Sequence, residues 1–335
     1  MRVLHLHSGN LYGGVETFLL TLARCRTWSP SVEMEVGLCF DQRIARELRD
    51  EQVPITMLGE VRLRRPDSVW RARRALEALL KERTYDVVVC HQAWPLVVFG
   101  TVVKAAGLPL VSWSHMAQTG HHWLDRLAGR VQPDCYICNS RFSASVLPPT
   151  DARVEVIYYP VMADETHAKV EGEPGIVIVQ VSRMEAMKGQ TVLIEALGRL
   201  RDEPGWVCWQ VGGAQRAPEA RYLASLRADA ERLGVADRIR FLGQRTDVPA
   251  LLAAADIFCQ PNVQPEPFGI SFVEALLAGR PVVASATGGV LEIVDDTCGV
   301  LIEPGDVTAL AAALSRLIRD SAERERLGRN GPKRA

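Results

Sequence analysis

Two carboxylates, Glu266 and Glu274, flank the start of an apolar run in QPEPFGISFVEALLAGRPVVAS, Gln264 to Ser285. Pro267 and Gly269 make a tight opening, and Gly279 with Pro281 beyond it makes a stop, so the spacing predicts a helix from about Phe268 to Ala278. Glu266 then belongs to the loop, and Glu274 lies about one and a half turns inside the helix. The amides of Gly269, Ile270 and Ser271 in the first turn have no intrahelical acceptors and form a partly positive seat for an anion. A carboxylate beside such a seat repels phosphate, and it suits hydroxyl donors of the kind sugars offer. Taken singly, Glu266 also reads as an exposed loop residue and Glu274 as an ordinary polar helix position.

Arg183 and Lys188, in VSRMEAMKGQTVLIEAL, stand on a loop leaving a strand. There an Arg fork and a Lys point charge can meet a diphosphate, although two solvated surface charges fit the same residues. Gly13 and Gly14, in HSGNLYGGVETFLLTLA, sit where a strand passes into a helix. Backbone amides can approach a phosphate there without a Cβ in the way, or the pair simply permits a turn. The loop is not G-x-G-x-x-G, which counts against a nicotinamide dehydrogenase.

The elements that must position these residues alternate through the whole chain. Strands are predicted at 3–7, 34–40, 86–91, 108–115, 135–140 and 154–160, then at 175–182, 206–213, 239–244, 257–262, 281–286 and 299–304. Helices between them include 14–25, 67–82, 190–201, 221–233 and 306–320. Strand and helix in alternation mean parallel sheets covered on both faces. The pattern pauses at PVMADETHAKVEGEPG, 160–175, a polar linker and hinge candidate. The expected fold is therefore α/β, with two doubly wound Rossmann-like domains, 1–163 and 164–335, facing across a cleft where ligands meet the carboxyl ends of the strands.

Composition narrows the function. Hydrophobic residues at 47% and charged residues at 24% exclude disordered and fibrous classes, and a net charge of -1 argues against a nucleic-acid partner. The 8 cysteines are scattered in apolar runs and read as reduced thiols of a cytoplasmic protein. Cys135 and Cys138 form a C-x-x-C without the second pair a zinc site needs. MRVLHLHSG runs straight into a strand and a glycine loop, so no signal peptide is expected, and no apolar run is long enough to span a bilayer. The segment 61–83 holds eight basic and three acidic residues with Trp70, Leu76, Leu79 and Leu80, which suits either a peripheral contact with an anionic membrane or a solvated helix face packed by its leucines.

E-P-F-G-I-S-F-V-E resembles the E-x7-E motif of the retaining GT-B glycosyltransferases, in particular glycosyltransferase family four. GGVE, SRMEAMKG, VGG at 211–213, FLGQRTDVPALLAAADIFCQPN and ATGGVLEIV follow in that family's order, so the likeness covers nearly the entire chain. It implies that Arg183 and Lys188 hold the donor diphosphate and neutralise the leaving group, and that Gly14 approaches the diphosphate or the sugar. It implies that Glu266, with the amides after Phe268, holds donor-sugar hydroxyls and that Glu274 binds the ribose. His115, at the end of LVSWSH, matches a strand-end histidine that contacts the sugar and is needed for transfer. Gly212, Gly213, Gln244 and Arg245 match positions beneath the nucleobase, while Gly288 and Gly289 either close the phosphate side or permit a turn.

The resemblance further implies transfer with retention from a nucleoside-diphosphate sugar, UDP or GDP being favoured, to a glycan, lipid-linked glycan or small-molecule hydroxyl acceptor. No cofactor or metal is expected, because cations already stand at the leaving group. Loops around Tyr12, Trp94, His121, His122 and Trp123 are candidates for the acceptor surface. Family members continue beyond the last helix with a segment that crosses back to the first domain, and this sequence stops at RLGRNGPKRA before it. The competing readings are a sugar-nucleotide epimerase or hydrolase on the same fold and a catalytically silent nucleotide-sugar binding protein.

Overall fold

A computed structural model of the chain describes residues 1–117, 122–162 and 175–335. Two compact units, Met1–Pro160 and Val161–Ala335, divide it. The expected boundary at 163/164, most of the hinge candidate 160–175, and His121 lie outside the described residues.

The first unit is built on β1 (Arg2–His7), β2 (Glu33–Leu38), β3 (Ile55–Met57), β4 (Val87–His91), β5 (Leu110–Ser114), β6 (Cys135–Cys138) and β7 (Arg153–Val156). They form a parallel sheet in the order β3-β2-β1-β4-β5-β6-β7. The second unit uses β8 (Ile176–Val181), β9 (Trp206–Val211), β10 (Ile239–Gly243), β11 (Ile257–Gln260), β12 (Val282–Ser285) and β13 (Gly299–Ile302), parallel in the order β10-β9-β8-β11-β12-β13. Each order runs outward from its first strand and then reverses, between β1 and β4 and between β8 and β11. Loops leaving the two strands at such a reversal diverge and open a crevice at their carboxyl ends.

Helices on both faces explain why the central strands read as unbroken apolar runs. The helix Val307–Arg319 buries Leu310, Leu314 and Leu317 at helical spacing, and the Asp306 side chain caps it by accepting from the Ala309 amide at 2.8 Å. Strands end sooner than their sequence runs, because Gln244, Pro261 and Glu303 lie outside them at the sheet edge. The helix expected at Arg221 begins at Ala217, where Pro218 suits the first turn and Glu219 takes the Gln215 and Arg216 amides at 2.6 and 3.2 Å. The short strand β3 was not foreseen; its three residues show no usable alternation. Beyond the expected last helix, Ser321–Arg334 forms another.

Cys135 and Cys138, three residues apart on β6, face opposite sides of the sheet, and all eight cysteines are free thiols. In the helix Pro66–Glu82, Leu76 and Leu79 are buried and Leu80 packs against the same core, which agrees with the reading of a helix face packed by its leucines and withdraws them as membrane partners. Trp70 stays 63% exposed, under the Arg74 guanidinium. Among the described residues no helix is long and apolar enough to cross a membrane.

Phe258 on β11 is fully buried and meets Phe272 edge-on, with ring centroids 5.4 Å apart. Phe258→Ala is expected to cost about 3–5 kcal/mol through lost transfer energy and the cavity left behind. Urea denaturation followed by tryptophan fluorescence measures this, and a loss below about 1 kcal/mol would contradict the packing described.

Candidate functional site

At the reversal in the second unit, the loop leaving β8 carries Ser182, Arg183 and Glu185, with Lys188 closing a short 3-10 turn, Ala186–Lys188. Buried Met184 anchors that loop in the core. The loop leaving β11 runs through Asn262 to Glu266 and then into the helix Ile270–Leu277. Gly189 has φ +74, and a Cβ there would lie 1.8 Å from the Pro261 carbonyl oxygen, so only glycine lets the two loops approach this closely. The Val263 amide then donates to the Met187 carbonyl at 2.9 Å and ties them together.

The two loops meet at an ion pair. Lys188 Nζ lies 2.5 Å from Glu266 Oε2, with both side chains largely buried. Asn262 Nδ2 donates to the same oxygen at 2.7 Å, and Gln260 Nε2 donates to Asn262 Oδ1 at 3.1 Å. Gln180 Nε2 holds the Lys188 carbonyl at 2.7 Å, and Gln190 Nε2 holds the Arg183 carbonyl at 2.8 Å. Behind Glu266, the Gly289 amide donates to its carbonyl at 2.7 Å, and Gly288 pairs with it as a parallel bridge. A Cβ on Gly288 would meet the Glu266 carbonyl oxygen at 2.4 Å. Of the two readings offered for Gly288 and Gly289, these contacts are those of residues that seat the Glu266 backbone.

Arg183 is already paired, 2.9 Å from Glu185, and Arg216 reaches the same carboxylate at 3.1 Å. Gly212 donates its amide to the Gly243 carbonyl at 2.8 Å, and a Cβ on it would lie 1.8 Å from the Ser182 carbonyl oxygen. Gly213 packs on Gln244, whose amide nitrogen would be 3.1 Å from an added Cβ. Thus Gly212, Gly213 and Gln244 adjoin the loop of Arg183. Arg245 is turned to Asp247, with bonds of 2.8 and 2.6 Å.

Phe268 is buried, so it can offer a ligand little beyond its backbone. Gly269, with φ +92, caps the helix, and Ile270 and Ser271 form its first turn. The helix is a little shorter at each end than its sequence span, since Gly269 takes a left-handed conformation that the helix does not continue. Glu274 lies within it, half-buried, its carboxyl group without a hydrogen bond or ion pair among the described residues. Burial pushes its carboxyl group up to about 7.

In the first unit, His115 and the turn at Gly13–Gly14 occupy the corresponding edge. Gly13 is not the open donor expected: its amide gives a 2.9 Å bond to Glu16 Oε2, and Glu16 Oε1 meets His7 Nε2 at 2.7 Å. A side-chain carboxylate already occupies that helix start. His115 is buried, with Nε2 2.7 Å from His91 Nδ1 and Nδ1 on the Tyr159 hydroxyl. Burial, then the neighbouring His7 and His5, hold its ring well below the usual imidazole range. Sequence reasoning passed over Gln260, Asn262, Glu185 and Glu16. Polar residues closing an otherwise apolar strand, as in IFCQPN, were the available signal.

Two doubly wound units, one presenting a cation–carboxylate cluster and an open helix start at its strand reversal, define a protein of the nucleotide-binding α/β kind. The family model of glycosyl transferases group 1 matches residues 163–334, and that of glycosyltransferase family 4 matches residues 12–165. The chain therefore belongs to the GT-B glycosyltransferases of these families. It is 33% identical to the D-inositol 3-phosphate glycosyltransferase of Salinispora tropica, over 77% of this chain and 62% of that protein. With the GDP-mannose-dependent alpha-(1-6)-phosphatidylinositol monomannoside mannosyltransferase of Mycolicibacterium smegmatis it shares 28% identity, over 86% and 80% of the two chains. The crystal structure of HepE from Anabaena in complex with UDP and glucose superposes with a TM-score of 0.87 at 27% identity, covering 99% of this chain and 94% of that one. The chain spans under two thirds of the length of the Salinispora relatives, 62% of one and 51% of another.

The half-buried Glu274 carboxyl group gives a pH-dependent stability with a definite sign. Its folded value, about 7, lies above the ordinary 4.5, so ionisation is penalised in the fold and stability declines as pH rises through that window. Relative to the parent, Glu274→Gln is expected to gain up to about 3 kcal/mol between pH 4 and pH 8. Denaturation midpoints across that range measure it, and a difference independent of pH would refute it.

Proposed function

We propose that the chain transfers a hexose from a nucleoside-diphosphate sugar to a hydroxyl acceptor, with the donor held at the carboxyl edge of β8 and β11. The observation that carries this reading is the cluster of Lys188, Asn262 and Glu266 beside the first turn of the helix Ile270–Leu277. Lys188 keeps two further donors after meeting Glu266, and these, with the first-turn amides and Arg183, suit a diphosphate. Glu266 Oε1 has no partner among the described residues and suits a sugar hydroxyl. Glu274 is read as the acceptor for ribose hydroxyls, whose donation would favour its ionised form. HepE is described with UDP and glucose and the mycobacterial relative uses GDP-mannose, which supports UDP or GDP as the nucleotide. The acceptor is read as a glycan, lipid-linked glycan or small-molecule alcohol.

As the glycosidic bond breaks, charge grows on the leaving phosphate, so Lys188 and Arg183 stabilise the transition state more than the ground state. With those cations in place no divalent metal is required, and the sugar keeps its anomeric configuration. Lys188→Ala is expected to lower kcat by about 10²–10³-fold, the usual effect of removing one such donor. A donor screen by thermal shift identifies the nucleotide. NMR of the product then reads the anomer, and assays with EDTA read metal dependence. An inverted anomer, or activity lost to EDTA, would overturn the corresponding part of the reading. Donor hydrolysis unaffected by any acceptor would favour a hydrolase instead.

A peripheral membrane contact is part of the same reading. Trp70, with exposed Arg62, Arg64, Arg65, Arg71 and Arg74, offers an aromatic anchor among cations, although Arg71 pairs with Asp67 and Arg74 with Glu77. Flotation with phosphatidylglycerol vesicles is expected to carry the protein at low salt and release it at high salt. Absence from the floated fraction at low salt would remove this contact.

A further inference from the structure

The first unit buries more histidine than its proposed role for His115 uses. His5 on β1, His91 at the end of β4 and His115 just past β5 form a file under Phe18. His5 Nδ1 lies 2.9 Å from His91 Nε2, His91 Nδ1 lies 2.7 Å from His115 Nε2, and His115 Nδ1 meets the Tyr159 hydroxyl. Successive rings have centroids 5.1 and 5.0 Å apart and planes inclined by only 21° and 23°, so their nitrogens meet edge to edge. None of the three is more than 7% exposed.

A neutral imidazole has one N–H and one lone pair, and each N···N contact holds a single proton. If His91 carries its proton on Nε2, then His5 must accept at Nδ1, and His115 must donate from Nε2. If His91 carries it on Nδ1, both neighbours reverse. The three rings therefore share one tautomer, because a mixed file would set proton against proton or lone pair against lone pair. A phenol is a better donor than acceptor toward imidazole, so Tyr159 O–H donates to His115 Nδ1 and selects Nε2–H throughout. Burial, joined by the neighbouring histidines for His91 and His115, holds all three rings below the usual range, His5 at about 4, which keeps the file neutral near pH 7. The backbone beside His91 is also forced: Gln92 has φ +77 and ψ 175, and its amide is tied to the Trp113 carbonyl at 2.9 Å. A non-glycine residue in that region costs of order 1–3 kcal/mol.

We propose that His91 is a positioning residue that holds His115 as the Nε2–H tautomer, leaving His115 Nδ1 as an acceptor for a hydroxyl. His5 extends the same constraint to β1. Tyr159 occupies that acceptor with its own hydroxyl. This inference rests on the proposed transfer reaction and on His115 meeting the sugar.

Long-range ¹H–¹⁵N correlations of histidine-labelled full-length protein at pH 7 read the tautomers without any substitution. The expected result is three neutral rings with Nε2–H; Nδ1–H at His115, or a charged ring in the file, overturns the proposal. His91→Phe removes the acceptor for His115 Nε2–H, while His91→Asn keeps a side-chain oxygen near the place of Nδ1. Phe is expected to mix the His115 tautomers and to lower kcat for transfer at least 10-fold, with the donor KM within about twofold. Asn is expected to restore Nε2–H and most of kcat. Equal loss in both variants with His115 still Nε2–H would show a merely structural role and overturn the proposal. If Phe does not fold, the parent spectrum and the Asn variant still decide. A parent that transfers no sugar defeats the proposed function alone, since the tautomer result stands apart from it.

Discussion

Lys188 and Glu266 face each other across the reversal of the second sheet, and much of the surrounding architecture answers the cost of burying that pair. Taking two charges out of water is expensive, and their attraction compensates only if the remaining donors and acceptors are satisfied. Asn262 supplies a second hydrogen bond to the carboxylate, Gln260 orients Asn262, and Gln180 holds the turn that carries the lysine. Gly189 and Gly288 let the backbones come close enough for this, at positions where a Cβ would overlap a carbonyl oxygen. Lys188 is thereby held in place at the strand reversal.

The two units solve the same problem with opposite charge economy. In the second, cations are held beside carboxylates, Lys188 by Glu266 and Arg183 by Glu185, so each stays poised without being left unpaired. In the first, the helix start at Gly13 is filled by Glu16, and the adjoining edge is lined with the buried rings of His91 and His115. An anion has less to gain there than at the other reversal. That contrast follows from charge alone.

Much of this was legible in the chain. Apolar runs such as VVVC and IVIVQV announce strands buried on both faces, and their alternation with amphipathic stretches leaves parallel sheets as the only economical arrangement. The carboxyl-edge placement of Arg183, Lys188 and Glu266 follows, because loops after strands in such sheets all emerge on one side. What stayed hidden were partnerships between side chains distant in sequence. The pattern of 61–83 allowed both a membrane contact and leucines packed inward, since the helical period gives faces but not which face meets the sheet.

Type and order of elements, and the chemical identity of the charged groups at their ends, were determined by the sequence itself, through hydrophobic period and turn residues that act over a few positions. Tertiary structure alone decided that Lys188 meets Glu266, that Glu16 closes the glycine turn, and that the half-buried Glu274 has no hydrogen bond or ion pair among the described residues. It also decided that His5, His91 and His115 form one file. The reason is physical: these contacts join strands and loops separated by tens of residues, and their geometry depends on sheet register and on close backbone approach, neither of which a local pattern encodes.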